Sequence, residues 1–557
     1  MIKIKDPRQS ELFDRFSELL GPSAYQRLKN GWQGCFRECI LYLLSGVVEK
    51  FSNNFSKLTG PETKELFSMA GLIIIKDFFN WSHTEAIDRY NADLTIQYAL
   101  NIEQRVEISR ATYFRYQKLF REEKVGRTVM RTITDELLRK TNVDVSKQRL
   151  DSTHVFSNMA VFSRRRLIHH IIYAFLVQLK RHCKAEYEGL PEALRTRYTS
   201  DDGWCFAENS PMLTLHYGNR KATAEEQLGY DLRWLIERFH ADVEISNGTK
   251  YKIMRQVFEE QFVDDGQPQL KKHPGGKVLV NSSDPDAEIG HKGAGYQVQI
   301  MQTYGEKNEV QMITNVLPQG ASASDMDSLK TMVDMSVESK TKPEKMLTDA
   351  GYGSDDNVCY AKMKGIEQIA PTTGKKKGQV GLEECGIDEF NRILICPGGK
   401  RPMKSTFENG KGYAIFYKNE CERCPLRTHC PAQKYGKHNY KWEYDLAKLR
   451  LRERRLHEQT AEFKSEYRPR GGIEALNGNL KQNTALRRLR CRGKMAVYTA
   501  IYTIAAMHNI MQYARYCLKN GKSFTMEGVL LVVRLFFACT SQLLGVWRLF
   551  PGSLQRF

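Results

Sequence analysis

Apolar positions recur at helical spacing through the first 140 residues, most clearly in 35–56 and 65–81. The stretch 109–118 (SRATYFRYQK) is polar and aromatic. Ser109 is a favoured N-cap, and a helix behind it would turn Arg110, Arg115 and Lys118 to solvent. A recognition helix of a helix-turn-helix and an ordinary solvated amphipathic helix both fit that pattern. Near residue 147 the period changes, and 148–155 (QRLDSTHV) reads as a short strand with small polar residues at its centre. Leu167, Ile171, Phe175 and Leu179 then recur every four residues, opening a helical stretch that continues to about Phe262. Strand-like alternation resumes in 295–301 and 309–316, followed by a helix over 326–337. Residues 345–349 form a strand entering the turn Gly351-Tyr352-Gly353, and another helix precedes a short strand at 367–370. The segment 374–441 is rich in Gly, Lys and Cys and has no clear period. It reads as an inserted loop-rich module with little apolar sequence to hold it together. Helical spacing returns at Leu446 and holds, apart from a break near Pro469, through Tyr513. The apolar stretch 529–549 is interrupted by Arg534, Ser541 and Gln542. It predicts a packed C-terminal helix, since a membrane span needs about twenty uninterrupted apolar residues.

Within this order three carboxylates stand out. A strand carries Asp151; two strands and a helix follow, then a strand ends in Asp349, and much later a helix carries Glu474. The element order is β-β-β-α-β-α-β-α, interrupted twice. A central strand and a neighbour ending at the same edge would bring Asp151 and Asp349 together, and a helix across that edge would add Glu474. Carboxylates gathered at one point repel unless cations lie between them, which implies Mg²⁺ or Mn²⁺. Two such ions about 4 Å apart can activate an attacking water or 3′-hydroxyl and stabilise the leaving oxygen in phosphoryl transfer. Around Glu474, Tyr467, Arg470 and Lys481 give the spacing Y-x2-R-x3-E-x6-K. In a helix starting at Pro469, Arg470, Glu474 and Lys481 share one face. An aromatic ring beside an Arg suits an unpaired base and its phosphates.

Charge adds a partner. The 557-residue chain has a formal net charge of +19, which favours a polyanion through counterion release. Two basic runs, 448–455 and 487–494 (the latter with Arg487, Arg488 and Arg490), bracket Glu474 and suit a DNA-backbone channel. With 41% hydrophobic residues most of the chain should fold, and its length allows about two to four domains. Residues 1–14 are charged and lack the apolar segment of a signal peptide, so the expected compartment is the cytoplasm, with no membrane role. Thirteen cysteines are an odd set for a disulfide framework. Four of them, Cys396, Cys421, Cys424 and Cys430, sit in the loop-rich insertion and suit tetrahedral structural Zn²⁺, although His429 could replace one.

These motifs resemble the DDE transposases of bacterial insertion sequences, in particular the group with a Y-R-E-K signature around its catalytic Glu. Leu150-Asp151-Ser152-Thr153-His154 is similar to that family's first-Asp strand, and Thr348-Asp349-Ala350-Gly351-Tyr352-Gly353 to its second-Asp turn. Asp284-Pro285-Asp286 with Gly290-His291-Lys292-Gly293 is similar to the segment entering its second strand, and Gln97-Tyr98-Ala99-Leu100 to its helical N-terminal domain. The resemblance implies an α/β fold: an RNase H-like catalytic core, a mixed five-stranded sheet with flanking helices, interrupted by insertions and preceded by an all-α domain. It assigns catalysis and metal binding to Asp151, Asp349 and Glu474, the DNA end to Tyr467 and Arg470, and a terminal phosphate to Lys481. Arg110, Arg115, Arg487, Arg488 and Arg490 join them as candidate DNA contacts. The expected partition is 1–140 helical DNA-binding or dimerisation domain; 141–162, 263–373 and 442–520 core; 163–262 helical insertion; 374–441 Cys-containing insertion; 521–557 helical tail. The expected activity is cleavage of double-stranded DNA at inverted-repeat ends and strand transfer into target DNA, by a nucleoid-associated homodimer. A nuclease that never joins DNA, and a non-catalytic DNA-binding protein derived from a transposase, remain alternatives.

Overall fold

The computed structural model describes the chain except residues 1, 9–13, 57–58, 60–61, 103–106, 122–124, 200–212, 215–220, 375–377 and 525–557. The helix expected over 529–549 therefore lies outside the described residues. Two compact units emerge, one of Met1–Val143 with Thr499–Phe557, the other of Asp144–Tyr498.

The first unit is helical in its described residues. Helix Leu66–Phe78 is buried along its whole length, including a Lys76–Asp77 ion pair at 2.9 Å. Helix α1 (Arg110–Phe120) starts where the sequence places it, with the Ser109 hydroxyl accepting from the Thr112 amide. It buries Tyr113, Tyr116 and Phe120 and leaves Arg110, Arg115 and Lys118 exposed.

The second unit is built on a mixed sheet of β1 (Lys147–Val155), β2 (Glu288–Gly290), β3 (Gly293–Thr303), β4 (Ile313–Gly320), β5 (Lys345–Leu347) and β6 (Glu367–Ile369). The order is β6-β5-β1-β3-β2, with β4 also paired to β3. β1 to β4 pair antiparallel, whereas β1, β5 and β6 run parallel. The parallel connections need crossovers, which α2 (Asp325–Glu338) and α3 (Asp355–Met363) supply. Leu150, Met301, Leu329, Met332, Val333, Met346 and Tyr352 pack between sheet and helices as one core. Two details differ from the sequence reading. The sheet has six strands, because the turn Gly290–Gly293 closes a short hairpin. Strand β4 begins at Ile313, four residues late, beside a register shift at Met301/Gln302.

Two segments interrupt this core. In the first, helices Arg164–His182, Ala224–Phe239 and Thr249–Gln261 bury Leu167, Ile171, Phe175 and Leu179 against Leu228, Leu232 and Met254. The second departs from the loop-rich expectation. Strands β7 (Lys404–Glu408), β8 (Lys411–Tyr417), β9 (Gln433–Tyr435) and β10 (Asn439–Asp445) form an antiparallel sheet in the order β7-β8-β10-β9. Its core contains Ala414, Phe416, Tyr440, Trp442 and Tyr444, so the segment does carry apolar sequence of its own. Alternation in KGYAIFY and NYKWEYD supplies it, since every second residue points inward.

Candidate active site

Asp151 lies on β1, and Asp349 lies two residues past the end of β5, the parallel neighbour of β1, where the sequence pattern places it on the strand itself. Each carboxylate is fixed by a nearby amide: Ser152 N–H donates to Asp151 Oδ1 at 2.9 Å, and Gly351 N–H to Asp349 Oδ1 at 2.9 Å. Glu474 comes from much later in the chain. Helices α4 (Leu446–Glu458) and α5 (Ala461–Tyr467) lead through one 3₁₀ turn, Arg468–Arg470, into α6 (Gly471–Asn483). Glu474 is the fourth residue of α6 and is 65% exposed at its side chain.

A single guanidinium joins the three. Arg470 Nη2 stands 3.5 Å from Asp151 Oδ1 and 3.9 Å from Asp349 Oδ2, while Nη1 donates to Glu474 Oε1. Burial works against the Arg470 charge, but Asp151, Tyr467, Glu474 and Asp349 outweigh it and hold its pKa above the ordinary value. The Asp151 carboxyl is raised as well: burial, helped by the Asp349 charge, lifts it against the opposing effects of Arg470, the Ser152 amide and Lys292. Asn477, one turn after Glu474, donates to Asp151 Oδ2 at 3.2 Å.

What lays α6 across the strand is Arg149, two residues before Asp151. Its buried guanidinium donates to Gln302 Oε1 at 2.7 and 3.0 Å, to Gln311 Oε1 at 2.6 Å and to the Pro469 carbonyl at 2.9 Å. A Cβ on Gly472 would lie 1.8 Å from Arg149 Nη1. The glycine that weakens the helix in sequence terms is thus the residue that lets the helix meet the sheet. Sequence reasoning missed Arg149 and Asn477. Their signals were positional: Arg149 shares a strand face with Asp151, and Asn477 a helix face with Glu474.

The other candidates differ in their surroundings. Tyr467 is half-buried among Tyr304, Leu347, Ile369 and Phe463, and stacks on Phe463 with centroids 5.6 Å apart. One ring face is therefore already covered. Lys481 lies in the last turn of the helix that carries Glu474; burial lowers its pKa, with Lys292 and Arg487 adding to the effect. Backbone bonds between Phe156 and both Arg487 and Leu489 anchor the second basic run beside β1, leaving Arg487, Arg488 and Arg490 exposed. The first run differs from expectation. Arg450 pairs with Asp355 at 2.6 Å, Arg454 donates to the Gly353 carbonyl, and Arg455 pairs with buried Glu383. Those three guanidinia brace the fold and are not a free phosphate surface. Arg110 and Arg115 belong to the first unit, over the rings of Phe114 and Phe55.

Cys396, Cys421, Cys424 and Cys430 line one small cavity of about 30 Å³ together with Val380, Phe416 and Trp442. A Cβ on Gly398 would meet both Cys424 Sγ, at 2.8 Å, and Cys396 Sγ, at 3.7 Å. Burial raises the Cys421 thiol to about 11 and pushes Cys430 in the same direction. His429 lies next to Gly378 and its imidazole does not line the cavity. Among the described residues no group of three or more His, Cys, Asp or Glu side chains stands at metal-holding distances. At the carboxylates the positive charge comes from Arg470. The donor chemistry there, three carboxylates converging on one cation, suits a hard divalent ion. Among the described residues no helix is long and apolar enough to cross a membrane.

A family model described as "Transposase DDE domain" matches residues 395–514, a span that contains Glu474 but neither Asp151 nor Asp349. No curated protein matches the chain. Among solved structures, the cryo-EM structure of a piggyBac transposase synaptic complex with hairpin DNA is similar over 96% of this chain and 85% of that chain. The sequence identity is 11% and the TM-score 0.31, too loose a likeness to carry weight.

Proposed function

We propose that this chain is a DDE transposase of the insertion-sequence type, in the Y-R-E-K group, that cuts DNA at element ends and joins the freed 3′-hydroxyl to target DNA. The observation that carries the reading is the meeting of Asp151, Asp349 and Glu474, from three distant segments, around the Arg470 guanidinium. The strand order β6-β5-β1-β3, with β4 on β3, supports an RNase H-like core, and the match over 395–514 supports the same class.

Asp151, Asp349 and Glu474 would hold Mg²⁺ or Mn²⁺, two ions in the full site, which supply activation of the attacking oxygen and charge stabilisation at the leaving one. Arg470, freed from the carboxylates, would take a phosphate of the DNA end. Lys481 and the exposed Arg487, Arg488 and Arg490 would follow the backbone, with a steep salt dependence. Tyr467 would offer a base only the ring face that Phe463 leaves uncovered. Arg110 and Arg115 would contact DNA from the helical unit. Joining two ends calls for two copies on DNA, hence a homodimer at synapsis. The four cysteines of the β module would bind structural Zn²⁺ as thiolates, since one cavity gathers Cys396 with the distant Cys421, Cys424 and Cys430.

The test uses supercoiled plasmid with Mg²⁺ or Mn²⁺ and, separately, a duplex ending in a pre-cleaved 3′-hydroxyl. Wild type should nick and transfer, and Asp349→Asn should lose both by at least ~10³-fold. Nicking without transfer would reduce the protein to a nuclease; undiminished activity in Asp349→Asn would overturn the catalytic reading.

A further inference from the structure

A fourth carboxylate stands behind the three. Asp325 is the first residue of α2, whose N-cap Ser324 makes no side-chain capping bond. An acidic residue in that position ordinarily faces solvent and complements the helix dipole. Asp325 instead turns both oxygens inward. Oδ2 accepts from the Ser152 hydroxyl at 3.0 Å, and Oδ1 accepts from Gln299 Nε2 at 2.9 Å.

Both partners are buried, and they face each other across the sheet, Ser152 on β1 directly opposite Gln299 on β3. Ser152 is also the residue whose amide fixes Asp151. The other arm reaches the second carboxylate. Gln299 Oε1 accepts from the hydroxyl of Tyr352, a fully buried side chain three residues after Asp349. Tyr352 is pinned again through its carbonyl, which accepts from Asn357 Nδ2 and Gln368 Nε2, both at 3.1 Å. Asp325 also approaches the second turn directly. A Cβ on Gly351, whose amide fixes Asp349, would lie 3.9 Å from Asp325 Cβ.

Asp325 thus contacts the neighbours of both catalytic-candidate aspartates but neither aspartate itself. We infer that Asp325 is a positioning residue that sets the separation of Asp151 and Asp349 by holding Ser152 and, through Gln299, Tyr352. The inference rests on the proposed role of those two aspartates. Its physical basis is that β5 is only three residues long and pairs with β1 only ahead of Asp151 and Asp349, at Lys147–Arg149 and Lys345–Leu347. Beyond those pairs the strand ends are free to splay, and a buried hydrogen-bonded network is what keeps a divalent-ion site to a fixed width. Closing the network through a carboxylate strengthens it, because hydrogen bonds to a charged acceptor are the strong ones.

The experiment measures Mn²⁺ binding to the full-length protein without DNA, by electron paramagnetic resonance of free Mn²⁺, alongside Mn²⁺-dependent nicking of supercoiled plasmid and thermal unfolding. Asp325→Ala should weaken Mn²⁺ binding about ten-fold and raise the Mn²⁺ concentration for half-maximal nicking by a similar factor. Plasmid affinity should stay within about two-fold, because no DNA contact is removed. Asp325→Asn keeps an acceptor for Ser152 but sets an amide N–H₂ against Gln299, and should fall between the two. Ser152→Ala, which leaves the charge in place, should move both readouts in the same direction by less. Adding Tyr352→Phe to Asp325→Ala should cost little more than Asp325→Ala alone, since both act through Gln299. Wild-type Mn²⁺ dependence in Asp325→Ala, while Asp349→Asn is inactive, overturns the inference and leaves the proposed function standing. Complete loss of Mn²⁺ binding in a folded Asp325→Ala also overturns it, by making Asp325 a ligand. Loss only in proportion to unfolding does the same, by making the network merely structural. If Asp151→Asn and Asp349→Asn both bind Mn²⁺ and nick like wild type, it is the proposed function that fails.

Discussion

Gly472→Ala should be among the most damaging single-methyl substitutions in the protein. The added Cβ would stand 1.8 Å from Arg149 Nη1, 2.6 Å from Cζ and 2.9 Å from Nη2. A guanidinium at the end of a flexible side chain can often step aside. Arg149 cannot, because it is 6% exposed and is tied to Gln302, Gln311 and the Pro469 carbonyl. Displacing it sacrifices at least two hydrogen bonds from a charged donor, at about 1.5–3 kcal/mol each. The helix preference of Ala over Gly returns about 1 kcal/mol. The net cost is on the order of 2–5 kcal/mol, unless α6 lifts away and carries Glu474 out of register with Asp151. Either response appears in two assays, denaturant unfolding and Mn²⁺-dependent plasmid nicking. The adjacent Gly471 is the control, since a Cβ there meets nothing within 4 Å. Gly471→Ala should be neutral or stabilising by up to about 1 kcal/mol. In an Arg149→Ala background the Gly472→Ala penalty should disappear, which isolates the clash. Equal stability and activity of Gly471→Ala and Gly472→Ala would refute this account of how the helix is held.

Three further outcomes follow from the same structure. Arg470→Gln removes the cation shared by the three carboxylates, so Mn²⁺ should bind the DNA-free protein several-fold more tightly while plasmid affinity drops; unchanged Mn²⁺ affinity would mean the guanidinium does not compete. His508 in the helical unit is buried and its pKa is lowered to about 4, so the folded state keeps it neutral while the unfolded chain protonates it near 6.5. Stability should hold above pH 6.5 and fall as pH drops toward 4, by about 2 kcal/mol at pH 5. His508→Gln should flatten that limb in urea titrations. For the cysteine module, metal analysis of the purified protein should find one zinc per chain, lost together with module folding in Cys421→Ser; sub-stoichiometric zinc in a fully folded protein would dismiss the site.

Much of this protein was legible along the chain because its signals are local. Period changes marked strands and helices in the right order, Ser109 capped its helix, and the i, i+4 spacing put Arg470 against Glu474. Such features depend on backbone geometry within one or two turns, which sequence encodes directly. The β module escaped because glycines, lysines and cysteines diluted an alternation that is clean once KGYAIFY and NYKWEYD are paired. The basic run 448–455 misled for a related reason. Charge spacing cannot reveal that Asp355, Glu383 and the Gly353 carbonyl would arrive to occupy Arg450, Arg455 and Arg454. Only the tertiary structure decided how the site closes. Parallel pairing of β1 with β5 sets Asp151 beside Asp349, Arg149 pins α6 across them where Gly472 leaves room, and Asp325 reaches β1 and the turn after Asp349 from a third element. Those contacts join residues far apart in the chain, and their energies depend on burial and on partners that no local pattern records.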